Sequence, residues 1–312
     1  MLVKVLLAMT VIIITARVLG LLFKRLNQPA VIGEVIGGIL LGPSLLGRIA
    51  PEAAAFVLPA DAAPVLGILS QLGVILFMFL VGLELDLGVV RTRLSSTIVI
   101  SGASIIAPFA LGSLVALVLY DSAPAGVPFL SFVLFIGVSL SITAFPVLAR
   151  ILQDRRLHRT AMGTMALTCA AINDAIAWCL LAFVVGVMQD TLTDAIRTVG
   201  LTFLYIALML TAGRTIVVAV VRRLDASARI GEQSLALVLI AVLLSAVATE
   251  FIGIHAIFGA FLLGAIIPHE SRVSTQVHDR LADVVRVLFL PAFFAFTGMR
   301  TELGLVHTLG DW

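Results

Sequence analysis

The sequence predicts an all-α polytopic membrane protein with about ten transmembrane helices. Two observations support this prediction. Hydrophobic residues make up 61% of the 312-residue chain and charged residues only 12%, whereas a soluble domain carries roughly 25% charged residues. Apolar runs of about 20 residues, the length that crosses a bilayer as a helix, also recur along the whole chain. These runs are too long and too uniformly apolar for barrel strands, which alternate over about ten residues.

The first predicted span is the N-terminal apolar run, which carries the single early cation Lys4. No small-residue cleavage site follows it, so we interpret this run as a membrane span rather than a removed signal peptide. The ten predicted spans cover residues 2–22, 31–47, 63–83, 96–120, 128–152, 160–187, 195–221, 232–252, 254–268 and 281–303.

The loops between these spans alternate in charge, and this alternation predicts the orientation. Basic residues concentrate in every second loop, and basic loops are retained on the cytoplasmic side. The N-terminus is therefore predicted outside, in a multi-pass protein of the cell membrane. The net charge of +2 gives no case for nucleic-acid binding. The basic loops contain Lys24, Arg25, Arg91, Arg93, Arg155, Arg156, Arg159, Arg222, Arg223, Arg229, Arg272, Arg280 and Arg286.

Two stretches of the first third recur, altered, near the end of the chain. Residues 35–42 resemble 257–264, and residues 79–88 resemble 294–304 with one insertion. The matched spans are seven apart, and an odd offset predicts an inverted-topology repeat, as in many secondary transporters. The alternative is that glycine-rich apolar helices look alike by chance. We predict one transmembrane domain over 1–312, with a first repeat at about 31–190 and a partial second repeat at about 232–312.

Asp174 is the candidate site of the chemistry. It lies about 14 residues into the sixth span, or roughly 20 Å from its start, near the bilayer midplane. A charge at that depth costs about 3 kcal/mol on insertion scales, so such residues usually serve a function. A carboxyl group there can hold a proton or a cation, but not comfortably both. The alternative is a neutral, hydrogen-bonded aspartic acid that joins two helices.

The neighbouring Asn173 has two interpretations, which the sequence leaves open. Its amide can supply a carbonyl oxygen to a cation, or it can make an interhelical hydrogen bond. The chain shows no metal-ligand spacing, so no metal beyond a monovalent cation is predicted, and no cofactor or enzyme activity is expected.

The fifth span contains Pro146, which removes one backbone donor and clashes with the carbonyl group of Ile142. Ser141 and Thr143 can satisfy the freed groups or present oxygen atoms to an ion. Transporters build midplane sites from broken helices of this kind, so we predict a broken helix here. A plain proline kink is the alternative.

Three further acids are candidates for an entrance or an interface. Glu84 and Asp86 close the third span beside Arg91 and Arg93, so interfacial pairing with these arginines is expected. Glu34, near the start of the second span, can line an entrance or lie at the interface.

Together these stretches resemble the monovalent cation:proton antiporter-2 family, the membrane domain of sodium/hydrogen exchangers. The resemblance implies that Asp174 binds the cation and the proton, and that the span with Thr143 and Pro146 is the broken helix of the ion-binding core. It implies elevator-like exchange of Na⁺ or K⁺ for protons, and a homodimer. The matching motifs are Asn27-Gln28-Pro29, Ile32-Gly33-Glu34, 38–44, 79–86, 143–150, Asn173-Asp174 and 258–264.

The chain departs from the family pattern at its C-terminal end. The family has about three more helices, with a second broken helix and a basic residue near the ion site. We therefore expect an antiporter-like fold that lacks its last three or so helices. Two other functions stay open: a truncated, non-transporting membrane subunit and a potassium efflux protein. The adjoining Asn-Asp pair resembles the branch of plant-type potassium/proton exchangers, which implies electroneutral exchange.

Overall fold

The computed structural model describes residues 1–85, 94–123, 126–188, 192–226 and 231–305. Every regular element in these ranges is a helix, which confirms the predicted all-α fold. The α-helices are α1 Leu2–Arg25, α2 Ala30–Leu41, α3 Leu46–Ile49, α4 Pro51–Val57, α5 Ala63–Leu83, α6 Leu94–Leu119, α7 Phe129–Ser141, α8 Phe145–Asp154, α9 Ala161–Met188, α10 Leu192–Leu208, α11 Arg214–Asp225, α12 Glu232–Ile252, α13 Ala256–Ile266, α14 Arg272–Val284 and α15 Leu290–Met299. Single π-helical turns join α10 to α11 at Met209–Gly213 and α14 to α15 at Val285–Phe289.

Nine helical segments in the described part of the chain are long and apolar enough to cross a membrane. They correspond to nine of the ten predicted spans. The remaining predicted span, 254–268, is too long: it contains only the 11-residue helix α13, about 16 Å long. This helix begins beyond Gly253, which has a left-handed φ of 98°. It ends before Ile267, whose extended conformation is the one that a following proline, Pro268, favours.

The chain forms two compact units. The first comprises Met1–Phe77, Gln153–Arg155 and His278–Trp312, and the second comprises Met78–Leu152 and Arg156–Val277. In the first unit α15 packs against α1 and α2. Its apolar core joins α1, α5 and α15 through a set of small and aliphatic side chains: Val5, Ala8, Met9, Ile12, Ala62, Leu66, Ala292 and Ala295.

The crossing of α2 and α15 in the first unit depends on glycine. A methyl group added at Gly298 would lie 3.1 Å from Cα of Gly38 and 2.9 Å from the amide nitrogen of Ile39. A methyl group at Gly38 would overlap the carbonyl oxygen of Ala295. Small residues at such positions let membrane helices approach closely. The two backbones therefore touch here with no side chain between them.

A similar crossing joins α5 and α13 within the second unit. A methyl group added at Gly82 would lie 3.1 Å from Cα of Gly264 and 2.9 Å from the amide nitrogen of Ala265. A methyl group at Gly264 would overlap the carbonyl oxygen of Phe79. Gly82 touches Gly264 in one crossing and Gly298 touches Gly38 in the other, so Gly82 occupies the position equivalent to Gly298 and Gly264 the position equivalent to Gly38. The sequence comparison above instead aligns Gly264 with Gly42, four residues away, because side-chain similarity carries no information on which backbone positions touch.

Helices α6, α7 and α9 also belong to the second unit. Helix α9 packs against α6, α7 and α10, and α12 packs against α13. Ala175 of α9 lies in an apolar cluster with Ile254, Phe258 and Leu262. Helix α9 thus has neighbours on several sides, and the candidate residues Asn173 and Asp174 lie on it.

Candidate ion-binding site

Asp174 lies 13 residues after Ala161, the first residue of α9, or about 20 Å along the helix. Its side chain is partly buried. Within the described ranges the carboxyl group makes no hydrogen bond or ion pair, so the alternative of an aspartic acid that joins two helices by a hydrogen bond has no support here. Successive residues of a helix are rotated by about 100° around its axis. The side chain of Asp174 therefore points in a different direction from those of Asn173 and Ala175.

Asn173 points toward α6. Its side chain is 4% exposed, and its Nδ2 donates a hydrogen bond to Oγ of Ser104 at 2.7 Å. Ser104 Oγ in turn donates to the carbonyl oxygen of Ser101 at 2.9 Å. The interhelical hydrogen bond, one of the two interpretations of Asn173, is therefore present. The amide oxygen Oδ1 is buried and has no hydrogen-bond partner among the described residues.

The fifth span is broken. Helix α7 ends at Ser141, the next three residues are non-helical, and α8 begins at Phe145. Ile142 has extended angles, φ −83° and ψ 124°, and Pro146 is the second residue of α8. Proline is tolerated in the first turn of a helix, where its missing N–H has no helical partner in any case. The interruption is thus a break between two helices and not a kink in one.

Ser141 and Thr143 have different surroundings near this break. Ser141 Oγ donates to the carbonyl oxygen of Val138 at 2.8 Å, in the last turn of α7, where carbonyl groups lose their helical donors. Hydroxyl groups in apolar surroundings commonly bond the carbonyl groups of the preceding turn. Thr143 is exposed, and no hydrogen bond joins it to Asn173 or Asp174 in the described ranges.

An aromatic contact holds the start of α8. The rings of Phe145 and Phe261 meet edge to face with centroids 4.8 Å apart, and both side chains are buried. This contact fixes the C-terminal half of the broken span on α13. The break therefore has a rigid support on one side, while Thr143 on the extended segment stays accessible.

Glu84 directly follows α5, and its side chain, which is 8% exposed, pairs with the segment between α8 and α9. Its carboxylate oxygens lie 3.6 Å from Nε2 of His158 and 3.6 Å from Nη2 of Arg159. The expected partners Arg91 and Arg93 lie outside the described residues, as does Asp86. The pairing partners observed come from a loop more than seventy positions along the chain, which the local sequence could not reveal.

Glu34 is 3% exposed and lies against α1, near Gly20. This position is in the first unit, whereas Asn173, Asp174, Thr143 and Glu84 belong to the second. The predicted candidates among the described residues therefore lie in four places: the pair on α9, the break between α7 and α8, Glu34 on α2 and Glu84 after α5. Their roles as ligands stay predictions.

A cavity of about 580 Å³ lies on another side of α9, between α9, α10 and α13. Its lining is apolar apart from Thr168 and Thr202, and includes Ile172, Cys179 and Phe258. Neither Asp174 nor Asn173 lines it. Among the described residues, no three His, Cys, Asp or Glu side chains converge as metal ligands would.

The sequence interpretation missed Ser101 and Ser104. They are three residues apart on α6, so they share a helix face, and Pro108 follows in the same helix. A hydroxyl pair followed by an intrahelical proline is a pattern that could have identified this polar face.

A polytopic helical membrane protein with a broken span and an intramembrane carboxyl group has the form of a secondary transporter. The sequence profile of the sodium/hydrogen exchanger transmembrane family matches residues 10–312, so the chain belongs to that family. This family consists of ion antiporters rather than enzymes, which confirms the expectation that the protein is not an enzyme.

Curated relatives extend this comparison. The chain is 45% identical over 305 residues to the Na(+)/H(+) antiporter NhaS4 of Synechocystis sp., covering 97% of this chain and 74% of the relative. It is 36% identical over 312 residues to Cation/H(+) antiporter 19 of Arabidopsis thaliana, covering 99% of this chain and 39% of the relative. It is 32% identical over 311 residues to K(+)/H(+) antiporter 1 of Saccharomyces cerevisiae, covering 96% and 36%. The chain thus spans less than half the length of the plant and yeast relatives.

Proposed function

We propose that this protein exchanges a monovalent cation, Na⁺ or K⁺, for protons across the membrane, with Asp174 as the group that binds them alternately. The observation that carries this proposal is the partly buried carboxyl group of Asp174, halfway along the membrane helix α9. The names of the relatives support the reaction, because they describe Na⁺/H⁺, cation/H⁺ and K⁺/H⁺ antiporters.

The physical basis of the exchange is charge neutralisation. An ionised carboxylate in the membrane interior is unfavourable by several kcal/mol, whereas a protonated carboxyl group or a carboxylate with a bound cation is neutral. Alternating access then carries the site across in either neutral form and disfavours passage of the empty, charged form. Each turnover couples one proton to one monovalent cation, so the exchange is electroneutral. The side chain of Asn173 is uncharged, so it does not alter the net charge of the proton-bound or the cation-bound form.

In this proposal the broken span supplies further oxygen ligands to the cation. A helix that ends leaves its last carbonyl groups without intrahelical partners, and α7 ends at Ser141. The hydroxyl group of Thr143 is accessible on the same segment. Helix α9 packs against α7, which supports a role for this break in completing the coordination of a cation held by Asp174.

Three structural proposals accompany this function. The basic loops are cytoplasmic, with the N-terminus outside. The protein contains an inverted repeat, which the two similar glycine crossings support: Gly82 on Gly264, and Gly298 on Gly38. It acts as a homodimer by elevator-like movement. The two alternative functions are a potassium efflux protein without proton coupling and a non-transporting membrane subunit.

The test of this proposal measures exchange in everted membrane vesicles. A pH-sensitive dye reports proton movement after NaCl or KCl is added to vesicles that contain the wild type, Asp174→Asn or Asp121→Asn. Asp121 is exposed in a turn after α6, so it is a matched control for loss of one carboxylate. We expect Asp174→Asn to reduce the signal to that of vesicles without the protein, and Asp121→Asn to retain exchange.

Other outcomes separate the alternatives. Unchanged exchange in Asp174→Asn would rule out the role of this residue. Cation flux that continues without any proton movement would favour the efflux function. A wild-type chain that folds but exchanges ions only when co-expressed with a longer relative would favour the non-transporting subunit.

A further inference from the structure

Helices α10 and α11, with the π turn between them, form one continuous segment whose surface is largely uncovered. Among the nine candidate spans in the described part of the chain, Thr193–Asp225 has the smallest buried share, 6% over its most apolar 18 residues. The side of α11 that packs against α13 is marked by Gly213, where a methyl group would lie 3.8 Å from Cδ1 of Ile266. The opposite side of α11 therefore faces the lipid of the membrane.

Two arginines lie in a groove on this uncovered side. Arg214 and Arg222 are eight residues apart, or about 12 Å along the helix, and Val218 lies between them. Both side chains are exposed, and within the described ranges neither guanidinium group makes a hydrogen bond or an ion pair. The groove has a volume of about 580 Å³, and its lining includes Leu210, Thr211, Arg214, Thr215, Val218 and Arg222.

The depth of the two arginines follows from the length of the segment. From Leu192 to Asp225 it measures about 50 Å, so when centred on a hydrocarbon layer of about 30 Å it extends about 10 Å beyond each edge. Arg222 is about 5 Å from Asp225 and lies in the headgroup layer, whereas Arg214 is about 16 Å from it and lies about 6 Å inside the hydrocarbon. An arginine at that depth is unfavourable unless its side chain reaches the interface or meets an anion.

The hydrogen-bond donors that the groove leaves available are cationic. Thr211 Oγ1 donates to the carbonyl oxygen of Ala207 at 2.6 Å, and Thr215 Oγ1 donates to that of Thr211 at 2.9 Å. Both hydroxyl protons are thus used within the helix. The nearest carboxylate along the chain, Asp225, accepts a hydrogen bond from the amide nitrogen of Val273 at 3.0 Å. Guanidinium groups present a fork of N–H donors that matches phosphate oxygens, so the groove suits a phosphate anion.

An apolar surface continues from the groove toward the middle of the membrane. Leu210 is 44% exposed, and Leu208 and Phe203 of α10 are 53% and 68% exposed. Positive charge at the headgroup level with apolar surface below it has the same polarity as a phospholipid in one leaflet. A soluble anion would use only the charged part of this surface.

We propose that Arg214 and Arg222 bind the phosphate of an anionic phospholipid of the phosphatidylglycerol type, whose acyl chain lies along α10. The Arg214 side chain extends from below toward the headgroup layer, where Arg222 already lies, so one phosphate meets both guanidinium groups. In the proposed orientation this leaflet is cytoplasmic, the one whose anionic lipids attract basic side chains. The inference goes beyond the proposed exchange and does not depend on it, because lipid binding is measured without transport.

The experiment titrates the detergent-solubilised full chain with phosphatidylglycerol or phosphatidylcholine and counts the bound lipids by native mass spectrometry. We expect the wild type to bind phosphatidylglycerol at lower concentration than phosphatidylcholine. Arg214→Gln and Arg222→Gln should each raise the half-saturating phosphatidylglycerol concentration about tenfold or more, as for the loss of one charge-assisted pair. Arg223→Gln is the matched control and should leave it unchanged. Arg223 is exposed in the same last turn of α11, but it does not line the groove.

Glycerol 3-phosphate distinguishes a lipid site from a plain phosphate site. It carries a similar phosphate group without acyl chains, so we expect it not to displace phosphatidylglycerol at the concentration at which the lipid itself saturates. Displacement at that concentration would overturn the inference, because the apolar surface of α10 would then contribute nothing to binding.

Other results would also overturn it. Equal binding of the two lipids by the wild type, or an equal effect of Arg223→Gln, would show that no built site exists at the groove. Arginine substitutions that lower the dimer fraction in lipid-free detergent and leave lipid binding unchanged would assign the groove to a second copy of this chain.

A further variant covers the case in which Arg214→Gln does not fold. Val218→Glu places a carboxylate between the two arginines, where it should pair with them and exclude the phosphate. The same rise in the half-saturating phosphatidylglycerol concentration is expected, and unchanged binding in this variant would contradict the proposal.

Discussion

Replacing Gly264 by alanine should destabilise the protein, although alanine is the better helix-forming residue. In a helix without close neighbours, glycine to alanine stabilises by roughly 0.5–1 kcal/mol. At Gly264 the added methyl group would overlap the carbonyl oxygen of Phe79 and lie 3.0 Å from the amide nitrogen of Leu83 and 3.1 Å from Cα of Gly82. These contacts are with main-chain atoms, which cannot rotate away as a side chain can.

The expected magnitude follows from these two opposing effects. Overpacking of a close contact costs about 1–3 kcal/mol, which exceeds the gain in helix propensity of roughly 0.5–1 kcal/mol. The net result is a decrease of about 0–2.5 kcal/mol in the free energy of unfolding. The value should lie near the upper limit because the added methyl group would contact several main-chain atoms of α5. Helix α13 would move away from α5, and its contact with Phe145 would weaken in turn.

The assay is thermal unfolding of the detergent-solubilised chain, followed by the loss of the monodisperse peak in size-exclusion chromatography. Gly200→Ala in α10 is the control, because a methyl group there meets nothing within 4 Å. We expect Gly264→Ala to lower the melting temperature by several degrees and Gly200→Ala to leave it unchanged or raise it. Equal melting temperatures for the two variants would refute the argument that the α5–α13 crossing requires glycine.

Two further substitutions test the surroundings of the site. Phe145→Ala removes a buried ring that meets Phe261 edge to face, so it should lower the stability by about 3–5 kcal/mol and abolish exchange. Phe135→Ala, at an exposed position of α7, is its control. Equal effects of the two substitutions on thermal unfolding and on the dye signal would contradict a specific role for this ring contact. Glu84→Gln removes the charge that faces His158 and Arg159, so it should lower the stability by up to about 1 kcal/mol. Equal melting temperatures for Glu84→Gln and the wild type would contradict a contribution of this pairing to stability.

The broken span shows how far a local signal reaches. Pro146 cannot donate a backbone hydrogen bond, wherever the rest of the chain lies, so the interruption follows from the sequence around it. The hydrogen-bond partners of the nearby hydroxyl groups cannot be predicted in the same way. Ser141 bonds Val138 in its own helix, because the nearest carbonyl group in an apolar medium is the one in the preceding turn.

The site on α9 depends on contacts between residues that are far apart in the sequence. Asn173 was open to two interpretations, and the hydrogen bond to Ser104 is a contact across 69 positions of sequence. Glu84 likewise pairs with His158 and Arg159, although nearer arginines in the sequence suggested other partners. Electrostatic and hydrogen-bond partners are chosen by which helices pack together, and one sequence alone contains no distances between helices.

Local sequence signals were sufficient for the all-helical membrane class, nearly all of the spans, the position of Asp174 midway along α9 and the break before Pro146. Each of these follows from how single residues respond to a hydrocarbon solvent or to a missing backbone donor, so neighbours in space are not required. Helix packing was needed to show that α13 is a short buried helix, that Gly38 and Gly264 occupy equivalent positions in two crossings, and that Ser104 bonds Asn173. These depend on the rotation and register of packed helices, where a shift of one residue turns a side chain by 100°.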